Sequence, residues 1–295
     1  MAADTPQQVT FVLYHYSPSI PAAAIFVAVF VCLSICHGFS LLRHRALFFI
    51  PFVIGLLFEA AGYAARIFSH SDPLALGPYI VQTMLILVAP PLFAASIYMT
   101  LGRLVVNLEA EQALLMPVKY VTKTFVIGDV ISFLLQCGGG GYMAAGSLSA
   151  MEAGENIVIA GLAVQLLFFG FFIIVSAIFH YRARSIAKHY DYAQPVSPIF
   201  RFFNSTSWEA MLWYLYAACV LILIRSVFRV VEFVQGNNGW IMRREYLLYI
   251  FDAVLMAVQA MLLLIVYPGK VVKRRCQTEG ALGSEGLPLA EAPGK

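Results

Sequence analysis

Seven apolar stretches follow one another along most of this 295-residue chain. Each is long enough to cross a hydrocarbon core of about 30 Å as an α-helix. The stretches are residues 20–42, 46–68, 79–102, 121–144, 156–180, 209–234 and 246–267. Charged residues make up only 12% of the chain, whereas soluble domains contain about 25%. The sequence therefore predicts an all-α, polytopic membrane protein, a bundle of seven transmembrane helices, and excludes a water-soluble fold.

Lysine and arginine are distributed unevenly among the segments between these stretches. Thirteen of them lie in segments 43–45, 103–123, 182–201 and 270–275, and the alternate segments hold only Arg243 and Arg244. Because short cytoplasmic loops collect basic residues, we expect the N-terminus outside and the C-terminus in the cytosol. The predicted organisation is an extracytoplasmic segment over 1–19, a transmembrane domain over 20–267 and a cytosolic tail over 268–295, basic and then disordered.

Charged side chains inside the stretches are the main functional signal, since each costs about 2.5–3.5 kcal/mol in the membrane unless it is paired or hydrated. They are Glu59, Arg66, Asp129, Arg225, Arg229, Glu232 and Asp252. With the predicted orientation, all except Asp129 fall in the outer half of the membrane. We therefore expect a polar cavity open to the non-cytosolic side. Three of the four acids would neutralise the three arginines, leaving Asp129, whose stretch offers no cation. The alternative is that these ion pairs only fix helix packing.

Helical spacing adds polar neighbours to the predicted cavity. Glu59, Tyr63 and Arg66 follow an i, i+4, i+7 pattern on one face, and Asp129 and Gln136 lie two turns apart on another. Intramembrane glutamines are expected to bond neighbouring helices; these are Gln82, Gln136, Gln165 and Gln259. The predicted cavity residues are Glu59, Tyr63, Arg66, Gln82, Asp129, Gln136, Gln165, Arg225, Arg229, Glu232 and Asp252.

Proline and glycine mark two special places. Pro90 and Pro91 are expected to interrupt and kink the third helix, as a gating element or as a packing kink. The run 138–141, four glycines, is expected to weaken the outer end of the fourth helix or to allow close helix approach. His37 is interpreted as an interhelical hydrogen-bonding residue. No metal-ligand spacing or catalytic motif is present, so we predict no metal, no cofactor and no catalytic residue. The basic residues are spread through separate loops, which argues against a nucleic-acid partner.

Seven ordered motifs resemble those of the fungal RTA-like proteins, also called the lipid-translocating exporter family, over roughly residues 14–269. The motifs are Tyr16-x-Pro18-Ser19, Glu59-x-x-Gly62-Tyr63-x-x-Arg66, Ala89-Pro90 with Ala94-Ala95-x-x-Tyr98, Asp129-x-x-Ser132-x-x-x-Gln136-x-x-Gly139, Gly161-x-x-x-Gln165, Ile224-Arg225-Ser226-x-x-Arg229-x-x-Glu232 and Glu245-x-x-x-Tyr249-x-x-Asp252. One departure is Tyr267-Pro268-Gly269, where the family more often has His-Pro-Gly.

The resemblance implies a seven-span membrane protein linked to export of, or resistance to, amphipathic molecules such as sphingoid long-chain bases, toxic amines and porphyrins. We therefore predict a translocator of amphipathic lipid-like or toxic hydrophobic compounds, in the plasma membrane or another endomembrane, with membrane lipids or such molecules as partners. Two alternatives stay open: a receptor or lipid-stress sensor, and a membrane-embedded acid/base enzyme, an isomerase or cyclase, using Asp129, Glu59 or Asp252. The sequence carries no signal for an oligomeric state.

Overall fold

A computed structural model describes residues 19–71, 76–143, 148–189, 208–235, 239–241 and 244–269. Over these residues the chain forms helices and short turns, with no strand. The predictions for the N-terminal segment up to residue 18 and for the tail from residue 270 onward lie outside the described residues, as does the first part of the motif at Tyr16.

Seven long helices correspond one to one with the seven apolar stretches, which confirms the all-α bundle. They are α1 (Ile20–His44), α2 (Ile50–Ser71), α3 (Leu76–Asn107), α4 (Val118–Met143), α5 (Leu148–His189), α6 (Trp208–Val234) and α7, whose consecutive segments are Glu245–Leu248, Tyr249–Val254 and Leu255–Ile265. Short 3₁₀ turns occupy Leu47–Phe49 and Glu111–Ala113. Five helices are long and apolar enough to cross a membrane: Ile20–His44, Leu47–His70, Ile80–Asn107, Ser149–Ser185 and Glu245–Ile265.

The helices pack mainly against their neighbours in sequence, and α7 also packs against α1. Helix α3 contacts α2, α4 and α6, so it lies in the interior of the bundle. Several helices extend beyond the predicted apolar stretches: α5, for example, starts at Leu148 rather than at residue 156. Backbone hydrogen bonds continue into polar sequence because a helix satisfies its own N–H and C=O groups whether or not lipid surrounds it.

Helix α7 contains a π-helical segment, Tyr249–Val254, between its two α-helical parts. Such wide turns add one residue to the helical repeat and are frequent at functional sites. Asp252 and Tyr249 both lie in this segment and both are buried. The hydropathy of the chain gave no indication of it.

The prolines and glycines do not break their helices. Helix α3 continues through Pro90 and Pro91, and α4 continues through the four glycines to Met143, so the expected interruption and weakening are not seen. A Cβ atom on Gly139 would lie 2.7 Å from the carbonyl oxygen of Gly154 on α5. Glycine there permits the close helix approach that was the alternative interpretation, which the structure confirms for this position.

Candidate functional site

The centre of the site is Asp252, which two arginines of α6 share. Arg225 donates from Nε to Oδ1 of Asp252, and Arg229 donates from Nη2 to Oδ2. The two arginines are four residues apart and therefore project from the same face of α6. Asp252 is 0% exposed. A buried carboxylate held by two guanidinium groups has its charge and its acceptor sites satisfied.

Each of the two arginines makes one further contact. Arg229 Nη1 lies 2.9 Å from Oε2 of Glu232, and Arg225 Nη2 lies 2.8 Å from the carbonyl oxygen of Ile86 on α3. Ile86 precedes Pro90 by four residues, and proline has no N–H to donate to that carbonyl. Pro90 therefore leaves an acceptor free within α3, and Arg225 uses it.

Helix α2 adds two polar groups without partners to this cluster. Glu59 is 0% exposed and lies within electrostatic range of Asp252, Arg225 and Arg229. Among the described residues, neither of its oxygens has a hydrogen bond, and the same is true of the Tyr63 hydroxyl and of Arg229 Nε. We call Glu59, Tyr63, Arg225, Arg229, Glu232 and Asp252 the charged cluster. It holds three carboxyl groups against two guanidinium groups.

The expected neutralisation of three arginines by three interior acids is wrong in one respect. Arg66 pairs with Glu245, at 3.0 Å between Nη2 and Oε1, and Glu245 was not among the interior acids considered. The Arg66 Nε atom also donates to the hydroxyl of Tyr249 at 3.1 Å, and Glu245 Oε1 accepts the backbone N–H of Ser19 at 2.8 Å. These contacts tie the start of α1 and the end of α2 to the start of α7. Because Glu245 pairs with Arg66, Glu59 has no ion pair among the described residues, and neither has Asp129.

Asp129 lies apart from the charged cluster. It is 3% exposed, and neither oxygen has a hydrogen bond among the described residues. The hydroxyl of Tyr98 on α3 approaches it without meeting hydrogen-bond geometry. Phe125 and Phe172 pack on the Tyr98 ring, at 5.5 and 4.4 Å between centroids. Asp129 and Tyr98, with these two phenylalanines, are called the Asp129 site.

Two predicted cavity residues, Gln136 and Gln165, join α4 to α5 instead of joining the charged cluster. Gln136 Nε2 donates to Ser132 Oγ at 2.7 Å and to Gln165 Oε1 at 3.0 Å. Ser132 donates in turn to the carbonyl oxygen of Gly161 at 2.7 Å. We call Ser132, Gln136, Gln165 and the Gly161 carbonyl the amide clamp. The expectation that both glutamines bond a neighbouring helix is met.

The remaining predicted residues have separate environments. Gln82 is buried on α3. His37 Nε2 lies 3.0 Å from the carbonyl oxygen of Ala260 on α7, which confirms the interhelical interpretation. Gln259 is buried without a hydrogen-bond partner among the described residues, contrary to expectation. No group of three or more metal-ligating side chains occurs in the described part of the chain.

Comparison with known proteins decides the family. The model of the RTA1-like protein family matches residues 52–275. This chain belongs to the RTA1-like family. The resemblance noted in its motifs is thereby confirmed.

Three curated relatives of this RTA1-like protein are from Saccharomyces cerevisiae. Protoporphyrin uptake protein 1 is 37% identical, covering 91% of this chain and 97% of the relative. Protein RTA1 is 34% identical, covering 88% and 85%. The sphingoid long-chain base transporter RSB1 is 25% identical, covering 85% and 73%. No solved structure matches this RTA1-like chain.

Proposed function

We propose that this RTA1-like protein moves amphipathic, lipid-like compounds across a membrane and that the charged cluster binds their headgroups. Two relatives support the class of compound, since one is named for uptake of protoporphyrin and another for transport of sphingoid long-chain bases. Both compounds combine a large apolar part with ionisable groups. The protein therefore needs polar groups at membrane depth as well as an apolar surface.

The observation that carries the proposal is the state of Glu59. An unpaired carboxyl group that is fully buried is costly, and intramembrane ionisable residues commonly mark substrate pathways. Glu59 offers two free acceptor oxygens, and Tyr63 and Arg229, which interact with it electrostatically, offer an unbonded hydroxyl and N–H. A headgroup with an ammonium and a hydroxyl or carboxylate would satisfy all of these atoms. If the cluster served only as structural ion pairs, we would expect these atoms to have hydrogen-bond partners.

Aromatic side chains supply the apolar surface next to these polar groups. The Tyr63 ring stacks on Phe30 at 5.8 Å and on Tyr249 at 5.9 Å between centroids. Phe26 lies 5.7 Å from Tyr63 and 5.4 Å from Tyr249. In the proposed binding mode the hydrocarbon part rests against these rings while the headgroup reaches Glu59.

We also propose a direction of transport and a membrane in which it takes place. The basic loops favour an N-terminus outside and a cytosolic C-terminus, which would place the charged cluster in the outer half of the membrane. We propose a polar cavity that opens there, with Pro90 and Pro91 of α3 as its gating element, which would suit release to the outside. We therefore propose export from the plasma membrane, in a role in efflux or resistance.

Reconstitution tests the proposal. The purified protein is placed in liposomes with a fluorescent single-chain amphiphile bearing a primary amine, and a membrane-impermeant quencher reports its movement between leaflets. We expect faster movement than in protein-free liposomes, and competition by an unlabelled long-chain base. Glu59→Gln keeps the shape of the side chain but removes its charge. Loss of a charge-assisted contact is worth about 1.5–3 kcal/mol, so movement should slow by roughly ten-fold or more.

The matched control is Glu152→Gln, the same substitution at an exposed position of α5. It should leave movement unchanged. Wild-type liposomes that behave like protein-free liposomes with every amphiphile tested would reject the transport function. A Glu59→Gln variant as fast as wild type would reject Glu59 as the binding group while leaving transport intact.

A further inference from the structure

The Asp129 site differs from the charged cluster in having no cation. No lysine or arginine is a neighbour of Asp129 among the described residues, and its two oxygens make no hydrogen bond there. Its side chain lies in the middle of α4, between ends at Val118 and Met143. A carboxylate at such a depth requires a positive partner or a proton. The described residues supply no positive partner.

The packing around Asp129 limits what that partner can be. Tyr98, Phe125 and Phe172 are all at most 1% exposed, and the ring centroid of Tyr98 lies 4.4 Å from that of Phe172. Close-packed interiors hold few voids larger than a water molecule. Next to the acid, the Tyr98 hydroxyl is the one other unbonded polar atom among the described residues, whereas the charged cluster offers several to a headgroup. The site therefore fits the smallest cation.

We propose that Asp129 binds and releases a proton in each transport cycle and so couples movement of the amphiphile to a proton gradient. This inference rests on the proposed function. Tyr98 suits both states of the acid, because its hydroxyl can donate to a carboxylate and accept from a carboxylic acid. The step makes and breaks one O–H bond: the proton reaches Asp129 from one side of the membrane and leaves to the other.

Polar groups continue from Asp129 along the same face of α4. Ser132 and Gln136 follow at i+3 and i+7, and both belong to the amide clamp. They give the acid a polar route towards the end of α4 at Met143, whereas Phe125 closes the face one turn in the other direction. The titratable groups that face the acid in the described structure are Tyr98 on α3 and, next to Tyr98, Cys219 on α6.

Infrared difference spectroscopy on the protein in lipid nanodiscs tests proton binding without any transport. We expect a carboxylic-acid C=O band that disappears as pH rises and that is missing in Asp129→Asn. Glu59→Gln should retain this band, which separates it from the other unpaired acid. Asp129→Glu should keep a titrating band at a shifted frequency. Absence of a titrating band that depends on residue 129 overturns the inference.

Transport with a pH difference across the liposome membrane tests coupling. The probe is a fluorescent amphiphile with a quaternary ammonium group, whose charge does not change with pH and so does not follow the gradient passively. For one proton per molecule, each pH unit changes the accumulation ratio by up to about ten-fold. Reversing the gradient should reverse the effect, and Asp129→Asn should lose the response, while Glu152→Gln keeps it.

The outcomes distinguish the two proposals. Wild type that moves the probe equally with and without the gradient, or Asp129→Asn that responds like wild type, overturns the coupling and leaves the transport function standing. Wild type that moves no amphiphile of any charge overturns the transport function and the coupling with it. The infrared result decides proton binding in either case.

Discussion

The charged cluster and the Asp129 site place acids at membrane depth in opposite surroundings. Asp252 accepts from Arg225 and Arg229, so its removal leaves two guanidinium groups without their shared acceptor. Asp129 has no cation among its described neighbours, so its removal leaves nothing behind. Burial is nearly equal at the two positions. Depth in the membrane makes an intramembrane acid conspicuous, but its partners decide whether it stabilises the bundle.

The helices around the two regions are also joined by different chemistry. Helices α2, α6 and α7 meet through ion pairs, and α4 and α5 meet through the amide clamp and a close backbone contact between Gly139 and Gly154. Glu59 belongs to the first region by position but resembles Asp129 in having no hydrogen bond. Ion pairs hold the buried acids Asp252 and Glu232. The two buried acids without a hydrogen bond among the described residues, Glu59 and Asp129, are the ones we assign to function.

The largest expected effect comes from comparing Asp252→Asn with Asp129→Asn. Breaking a buried pair by removing one partner costs about 3–5 kcal/mol, so Asp252→Asn should strongly lower the unfolding temperature of the protein in detergent. Asp129→Asn should change the free energy of unfolding by less than about 1 kcal/mol, since no partner is left unsatisfied. Equal destabilisation of the two variants would mean that Asp129 has a structural partner.

A smaller effect is expected at the contact between α4 and α5. Gly139→Ala places a Cβ 2.7 Å from the carbonyl oxygen of Gly154, and overpacking of this kind costs about 1–3 kcal/mol. Gly138→Ala is the matched control, because nothing lies within 4 Å of its Cβ position. That change should stabilise the helix by about 0.5–1 kcal/mol. Thermal unfolding of the two variants should therefore shift in opposite directions, and a shared direction would contradict the close approach.

Much of this architecture was predictable from the sequence, because lipid leaves few ways to satisfy a backbone. Apolar length alone located seven helices, and the i, i+4 spacing of Arg225 and Arg229 placed both on one face. Glu245 was missed as the partner of Arg66 because it lies at the edge of an apolar stretch. A charged residue costs little free energy there and is therefore no functional signal. Its place in a motif with Tyr249 and Asp252 was the available signal.

Other contacts were harder to predict from the sequence. Pro90 was noticed as a helix breaker, but its i−4 carbonyl, Ile86, is the group that matters to Arg225. That the Ile86 carbonyl is free can be predicted from the missing N–H of proline. That Arg225 is the group that donates to it depends on tertiary packing. Tyr98 and Asp129 are far apart in sequence on different helices, and nothing local relates them. The π-helical segment around Asp252 has no hydropathy signature at all.

The smallest expected effect concerns the ion pair at the start of α7. Glu245→Gln keeps an oxygen that can accept from Ser19 and Arg66 but removes the charge opposite Arg66, which is 1% exposed. We expect a loss of about 1 kcal/mol in the free energy of unfolding, the size of a typical net hydrogen bond, and a lower unfolding temperature.

The matched control is Glu209→Gln, whose partner Arg184 is 47% exposed and lies 3.4 Å away. Exposed pairs contribute about 0–1 kcal/mol and are screened by salt, so raising the salt concentration should remove the effect at Glu209 and leave most of the effect at Glu245. If salt abolished both, Arg66 would be hydrated, and the first turn of α7 would not hold α1 and α2 in the way its contacts indicate.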